Sequence, residues 1–176
     1  MLKTITSILR AKLVDWENSQ TIGIVSDWVI DPSQKKISAL IVRLPGIFKK
    51  TSVVTTVDVV EYGPGMVVVR NQNAVVPIHE VAGLDKLVKS KQKIIGCPVE
   101  TQSGKILGGV EDLLFETTDS TIQKIYLRPH ILNLLKSPDL IIGADKIVEI
   151  KTRKIIVRDD ATDGLTKEFV SSNALS

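Results

Sequence analysis

The feature that most restricts the fold is that the chain is written twice. Shifted by 85 residues, Gly23-Ile24-Val25-Ser26-Asp27-Trp28-Val29-Ile30-Asp31 lies over Gly108-Gly109-Val110-Glu111-Asp112-Leu113-Leu114-Phe115-Glu116. Without a gap, Ile37, Leu40, Val42 and Arg43 then meet Ile122, Ile125, Leu127 and Arg128. A three-residue insertion raises the offset to 88. Val53-Val54 then meets Ile141-Ile142, Val59-Val60-Glu61 meets Ile147-Val148-Glu149, and Val67-Val68-Val69-Arg70 meets Ile155-Ile156-Val157-Arg158. Apolar matches are cheap, but a glycine, acids and arginines coincide in the same order. Each copy is small, and a unit of that size buries only about 60–65% of its unfolded surface. Packing two copies together offsets that weakness.

Within each copy the pattern is that of short strands. Val and Ile dominate the apolar set, and both suit a pleated sheet better than a helix. Long strands are expected at Ile22–Asp31 and Ile106–Glu116, followed by Ile37–Arg43 and Ile122–Arg128. Shorter ones are expected at Ser52–Thr56 and Met66–Arg70. Polar clusters at Glu17–Gln20, Pro32–Lys36, Gln102–Lys105 and Thr117–Ser120 read as turns, and Gly63-Pro64-Gly65 excludes helix. Several short strands per copy predict a small closed barrel, because closure removes exposed edges. Ile78–Val88 reads as one short amphipathic helix joining the copies. The boundary falls at about residue 89, giving units 1–88 and 89–176. Lys86, Lys89, Lys91 and Lys93 make the connector basic, as expected of a solvated linker. The tail from Ala161 is polar, with Leu165 and Phe169 able to dock as one helical turn.

Charge and cysteine content exclude some classes of function. Net charge is +3, spread over both halves, so neither half is a polycation suited to a phosphate backbone. Aromatic residues make up 4%, too few for a base-stacking platform. Cys97 is alone, so no intrachain disulfide forms. No apolar stretch approaches the ~20 residues that span a bilayer, and the first residues do not read as a signal peptide. A cytoplasmic location is expected.

Gly23-Ile24-Val25-Ser26-Asp27 and Gly108-Gly109-Val110-Glu111-Asp112, each in a long second strand, resemble the core of the PRC-barrel family. That family is named for the H subunit of the photosynthetic reaction centre and is shared by the C-terminal domain of a ribosome maturation factor. The resemblance spans about residues 7–160, as two tandem copies. It implies non-catalytic binding modules. Gly23 and Gly108 are expected to permit a bend at a barrel corner, and Asp27 and Asp112 to accept backbone N–H bonds. The H-subunit type carries a membrane helix and the maturation factor a different N-terminal domain. Neither is seen here.

No catalytic constellation is visible. His79 and His130 stand in different copies without partner ligands, Cys97 has no neighbouring histidine, and Gly108-Gly109 lies in a strand rather than a phosphate loop. Neither metal nor cofactor is expected. The functional lead is a pair of equivalent loops rich in apolar side chains, holding Ile47 and Phe48 in the first copy and Ile131, Leu132, Leu134 and Leu135 in the second. Two roles remain open for them: filling a barrel end or the contact between barrels, or forming an exposed patch for a protein. The expectation is a scaffold protein that binds a protein partner or itself. The alternative is an accessory factor in ribosome assembly or RNA processing, touching ribosomal protein or RNA.

Overall fold

The computed structural model describes residues 1–46, 51–89, 94–129 and 140–162. Strand β1 (Leu2–Thr4) and a single helical turn, α1 (Ile5–Ile8), precede the first copy. There follow β2 (Lys12–Asp15), β3 (Gln20–Asp31), β4 (Lys36–Arg43), β5 (Ser52–Thr55), β6 (Val59–Gly63), β7 (Met66–Val69) and the two-residue β8 (Val76–Pro77). Helix α2 (Leu84–Lys89) leads to β9 (Pro98–Thr101), β10 (Ile106–Glu116), β11 (Ile122–Pro129), β12 (Leu140–Gly143), β13 (Ile147–Ile150) and β14 (Ile155–Val157).

The strands form two sheets of one design. The first runs β6-β7-β2-β3-β4-β5-β8 and the second β13-β14-β9-β10-β11-β12, with β1 added to β10. In each sheet one pair is parallel, β2 with β7 and β9 with β14, and the other pairs are antiparallel. The irregularities also repeat. Register shifts fall at Val25/Asp27 and Val110/Asp112, at Val29/Ile30 and Leu114/Phe115, and at Val59/Glu61 and Ile147/Glu149. Asp27 faces Ile41 as Asp112 faces Tyr126, both 85 residues on. The likeness starts earlier than residue identities suggest. Arg10 and Gly96 both have positive φ (64° and 82°), and their amides donate to the carbonyls of Val25 and Val110.

Each sheet must curl. In the first, β5 and β6 stand five strand steps apart, about 24 Å if the sheet were flat. Only the 3-10 turn Thr56–Asp58 joins them, and four chain steps reach about 14 Å at most. Ala144–Lys146 imposes the same limit on β12 and β13. The closed barrel expected from the sequence is nonetheless not formed: among the described residues neither sheet pairs its two ends. In both connecting turns the next amide, of Val59 or Ile147, donates back to Thr56 or Ala144 and is spent there.

The connector also departs from expectation. It is not one helix: Ile78–Glu80 is a 3-10 turn, Gly83 takes φ +78°, and α2 starts only at Leu84. Left-handed backbone at Gly83 ends any continuous helix. Nor is the segment merely solvated. Leu84 is buried with Val29, Ala39 and Val53, so α2 covers the outer side of β3–β5. This explains the unbroken apolar run of β4. Ile37, Leu40 and Val42 face the main core, while Ala39 and Ile41 face the α2 side.

The main core belongs to both sheets. One cluster of buried side chains includes Leu13, Val25, Leu40, Val67 and Tyr62 of the first and Val99, Leu113, Phe115, Leu127 and Ile155 of the second. The Tyr62 ring stands edge-on to Phe115 at 5.4 Å between centroids. The turns β3–β4 and β10–β11 meet head to head. The amide of Ile37 donates to Ser120, and that of Ile122 donates to Lys35, each at 2.9 Å. Lys36 and Thr121 form an antiparallel bridge. Lys35 and Ser120 are equivalents, as are Ile37 and Ile122. The contact is therefore self-complementary, as in a two-fold symmetric dimer.

Phe115 lies in the second sheet, while both tryptophans, Trp16 and Trp28, lie in the first. With one shared core, Phe115→Ala is expected to destabilise the protein by about 3–5 kcal/mol. The loss will appear as a lowered urea midpoint in tryptophan fluorescence. A fluorescence midpoint that does not move would mean the sheets unfold independently.

Candidate functional site

Strand β3 is long enough to serve two partners. It pairs with β2 up to Ile24 and with β4 from Ile24 onward. Where it changes partner, a groove of about 320 Å³ opens, lined by Thr21, Gly23, Ile24, Arg43, Leu44 and Pro45. Its walls are mostly aliphatic, and among the described residues Arg43 is its one charged lining residue. Pro45 lies just past the end of β4, and Gly46, also in the lining, takes φ +73°. Ile24 is 36% exposed.

Gly23 makes this approach possible. A Cβ there would lie 2.7 Å from the Arg43 carbonyl oxygen and 3.1 Å from Leu44 Cδ2. Gly108 occupies the equivalent place, facing Val99 as Gly23 faces Leu13. Asp27 Oδ1 accepts the Trp28 amide at 2.9 Å, and Asp112 Oδ1 accepts the Leu113 amide at 2.8 Å. Asp112 does more, because its carboxylate also accepts from the Thr6 amide (3.2 Å) and the Thr6 hydroxyl. It thereby ties the first turn of α1 to the second sheet. The apolar loop residues Ile47, Phe48, Ile131, Leu132, Leu134 and Leu135 lie outside the described residues, as do His130, Leu165 and Phe169. The groove lies at the start of the first of those loops, which the sequence places from Leu44 to Lys50. Sequence reasoning centred the patch on Ile47 and Phe48 and did not foresee the groove, where Gly23 stands one residue before the partner change.

The ionisable groups whose titration is clearly shifted move away from neutral pH. Burial pushes the Tyr62 phenol up to about 12. Among the described residues its hydroxyl makes no hydrogen bond of good geometry, although nearby Ser120 offsets a little of the burial effect. Burial also raises the Cys97 thiol. Carboxylates move the other way. The Asn18 side chain lowers buried Asp15, the Ser33 hydroxyl lowers Asp31, and the Thr121 amide lowers Asp119. Asp160 falls to about 2 because Arg158 grips it at both oxygens and Lys146 adds a third contact at 2.8 Å. General acid–base catalysis wants a group near the working pH, and these shifts lead away from it. Among the described residues no three His, Cys, Asp or Glu side chains gather as a metal site, and His79 is exposed.

Comparison with known proteins adds one family. The PRC-barrel domain matches residues 88–163, a span that contains β9 to β14. PRC-barrel domains are generally protein-interaction modules and generally non-catalytic. No curated protein matches the chain. No described helix is long and apolar enough to cross a membrane.

Two stability measurements test this geometry. Gly23→Ala is expected to cost roughly 1–3 kcal/mol, because the obstacle is backbone and must shift. Gly109→Ala, whose nearest obstacle is 3.7 Å away, is expected to be nearly neutral by thermal denaturation. The second measurement is pH. A carboxylate with a depressed folded pKa stabilises above its unfolded value and loses that contribution as pH falls through the folded one. For Asp160 the loss runs from its ordinary 3.8 down to about 2. Melting temperature should therefore fall within that window, and Asp160→Asn should flatten part of the fall.

Proposed function

We propose that the chain is a non-catalytic binding protein made of two PRC-like units, residues 1–88 and 89–176. It uses the groove beside Leu44 and Pro45, together with the apolar loops that follow, to hold a protein partner. The observation that carries this reading is the groove itself. Apolar side chains line it, and a basic residue stands among them. Contiguous apolar surface of this kind marks interaction sites, and a rim charge steers an acidic partner toward it. The match of the second unit to a family of interaction modules points the same way. The shifts of Tyr62, Cys97 and the carboxylates give no support to an enzymatic reading.

A photo-crosslinking residue placed at Ile24 is expected to capture protein in the native cell, and one at Lys151 to capture none. Ile24→Asp should weaken the captured complex roughly tenfold or more, as loss of a central apolar contact does, with circular dichroism unchanged. Crosslinks to nucleic acid at Ile24, or a complex indifferent to Ile24→Asp, would overturn the reading.

A further inference from the structure

Two sheets of one design act as each other's control. A difference at equivalent positions shows what the fold itself does not require. One such difference stands at the end of β7 and β14. In the second sheet, Arg158 follows β14 and donates from Nε and Nη2 to Asp160 at 3.0 and 2.9 Å. Lys146, in the turn between β12 and β13, reaches the same carboxylate. The guanidinium charge is thus satisfied within its own unit.

In the first sheet the equivalent arginine is Arg70, 88 residues earlier. Gln72 stands where the second unit has Asp160, and Asp58 where it has Lys146. Arg70 is exposed, and among the described residues no carboxylate pairs with it. Beside it lies a cavity of about 470 Å³, with Val57, Val60 and Ala74 among its apolar walls and Asp58 and Asn73 among its polar ones. Val57 is 84% and Val60 55% exposed. Asp145 takes the place of Val57 in the second unit, so the aliphatic side chain there is not a demand of the turn. Trp16 borders the same end. Its amide donates to Val69, the residue before Arg70, and it is 64% exposed. The equivalent Gln102, bonded likewise to Val157, is polar.

We propose that this end of the first sheet binds a peptide segment in which a carboxylate stands next to an aliphatic side chain. The carboxylate takes the place on Arg70 that Asp160 holds on Arg158. The aliphatic side chain covers Val57 and Val60. Tryptophan and arginine are residue types that dominate binding energy at protein interfaces, and the exposed Val57 and Val60 add apolar surface to a mixed lining. Asp58 lines the same cavity as Arg70 and adds a negative charge to it. It accepts from a peptide amide or a basic neighbour and repels a continuous polyanion, so nucleic acid, charged at every step, is disfavoured. The site shares no lining residue with the groove beside Leu44 and stands independently of it.

The probe is a blocked tripeptide, valine–aspartate–valine, titrated into the full chain and followed in its amide NMR spectrum. Shifts are expected at Val57, Val60, Arg70 to Asn73 and the Trp16 indole. A blocked valine–asparagine–valine should bind roughly tenfold more weakly, as removal of a charged hydrogen-bond partner predicts. Arg70→Gln should cause a similar loss. So should Gln72→Asp, which leaves the guanidinium in place but supplies the carboxylate that the second unit already carries. The dispersed spectrum reports that each variant is folded. Shifts confined to other surfaces, equal affinity in both variants, or tighter binding of a single-stranded oligonucleotide at these residues would overturn the proposal.

Discussion

The structure depends on a self-complementary contact between two copies of one turn. Lys35 and Ser120, equivalent residues, each accept an amide from the other copy, and Lys36 pairs with Thr121 between them. Around that point the inner faces of both sheets merge into one cluster of buried side chains. A lone unit of this size would bury too little surface to be robust. Facing its own copy, it buries the side chains that its open curl leaves uncovered. Lys35 strengthens the join by donating its ammonium to the carbonyls of Ala144 and Ile147, which close the turn of the opposite unit.

The elements before each copy extend the same logic. β1 pairs with β10, and Asp112 holds the first turn of α1, so the chain's opening segment serves the second sheet. α2, which precedes the second copy, covers the first sheet through Leu84. Each copy is thus clasped by the segment that leads into the other. In a two-chain dimer such an exchange would be called swapping. Here one chain makes both halves of it.

A repeated scaffold leaves its ends free to diverge. The inner faces are held to matching bulges and matching apolar positions, because every side chain there meets several others in a dense core. The ends of the strands carry no such constraint. There the second unit closes an ion-pair network, Lys146–Asp160–Arg158, while the first exposes Arg70, Val57 and Trp16. Differences of this sort are where binding specificity resides, since the fold tolerates either version.

The long strands and the turns between them were legible in the chain by itself, as was the residue match at offsets of 85 and 88 that the two sheets' common strand order follows. Strand alternation and turn chemistry are local properties, set by residues a few positions apart. Ile106–Glu116 is found as expected, and Ile22–Asp31 differs only at its start, by two residues. Elements whose stability comes from distant partners were not legible. β1 and α1 carry no pattern of their own and exist because β10 and Asp112 receive them. β6 was visible as a match but not as a strand, because one face of it is exposed at Val60 and Glu61. The break at Gly83, the open edge of each sheet and the pairing of Lys36 with Thr121 were likewise decided by tertiary structure. So was the contrast between Arg70 and Arg158. Two arginines that read alike in the sequence differ because, among the described residues, only one of them is folded against a carboxylate, and that depends on which side chains the turn brings within reach.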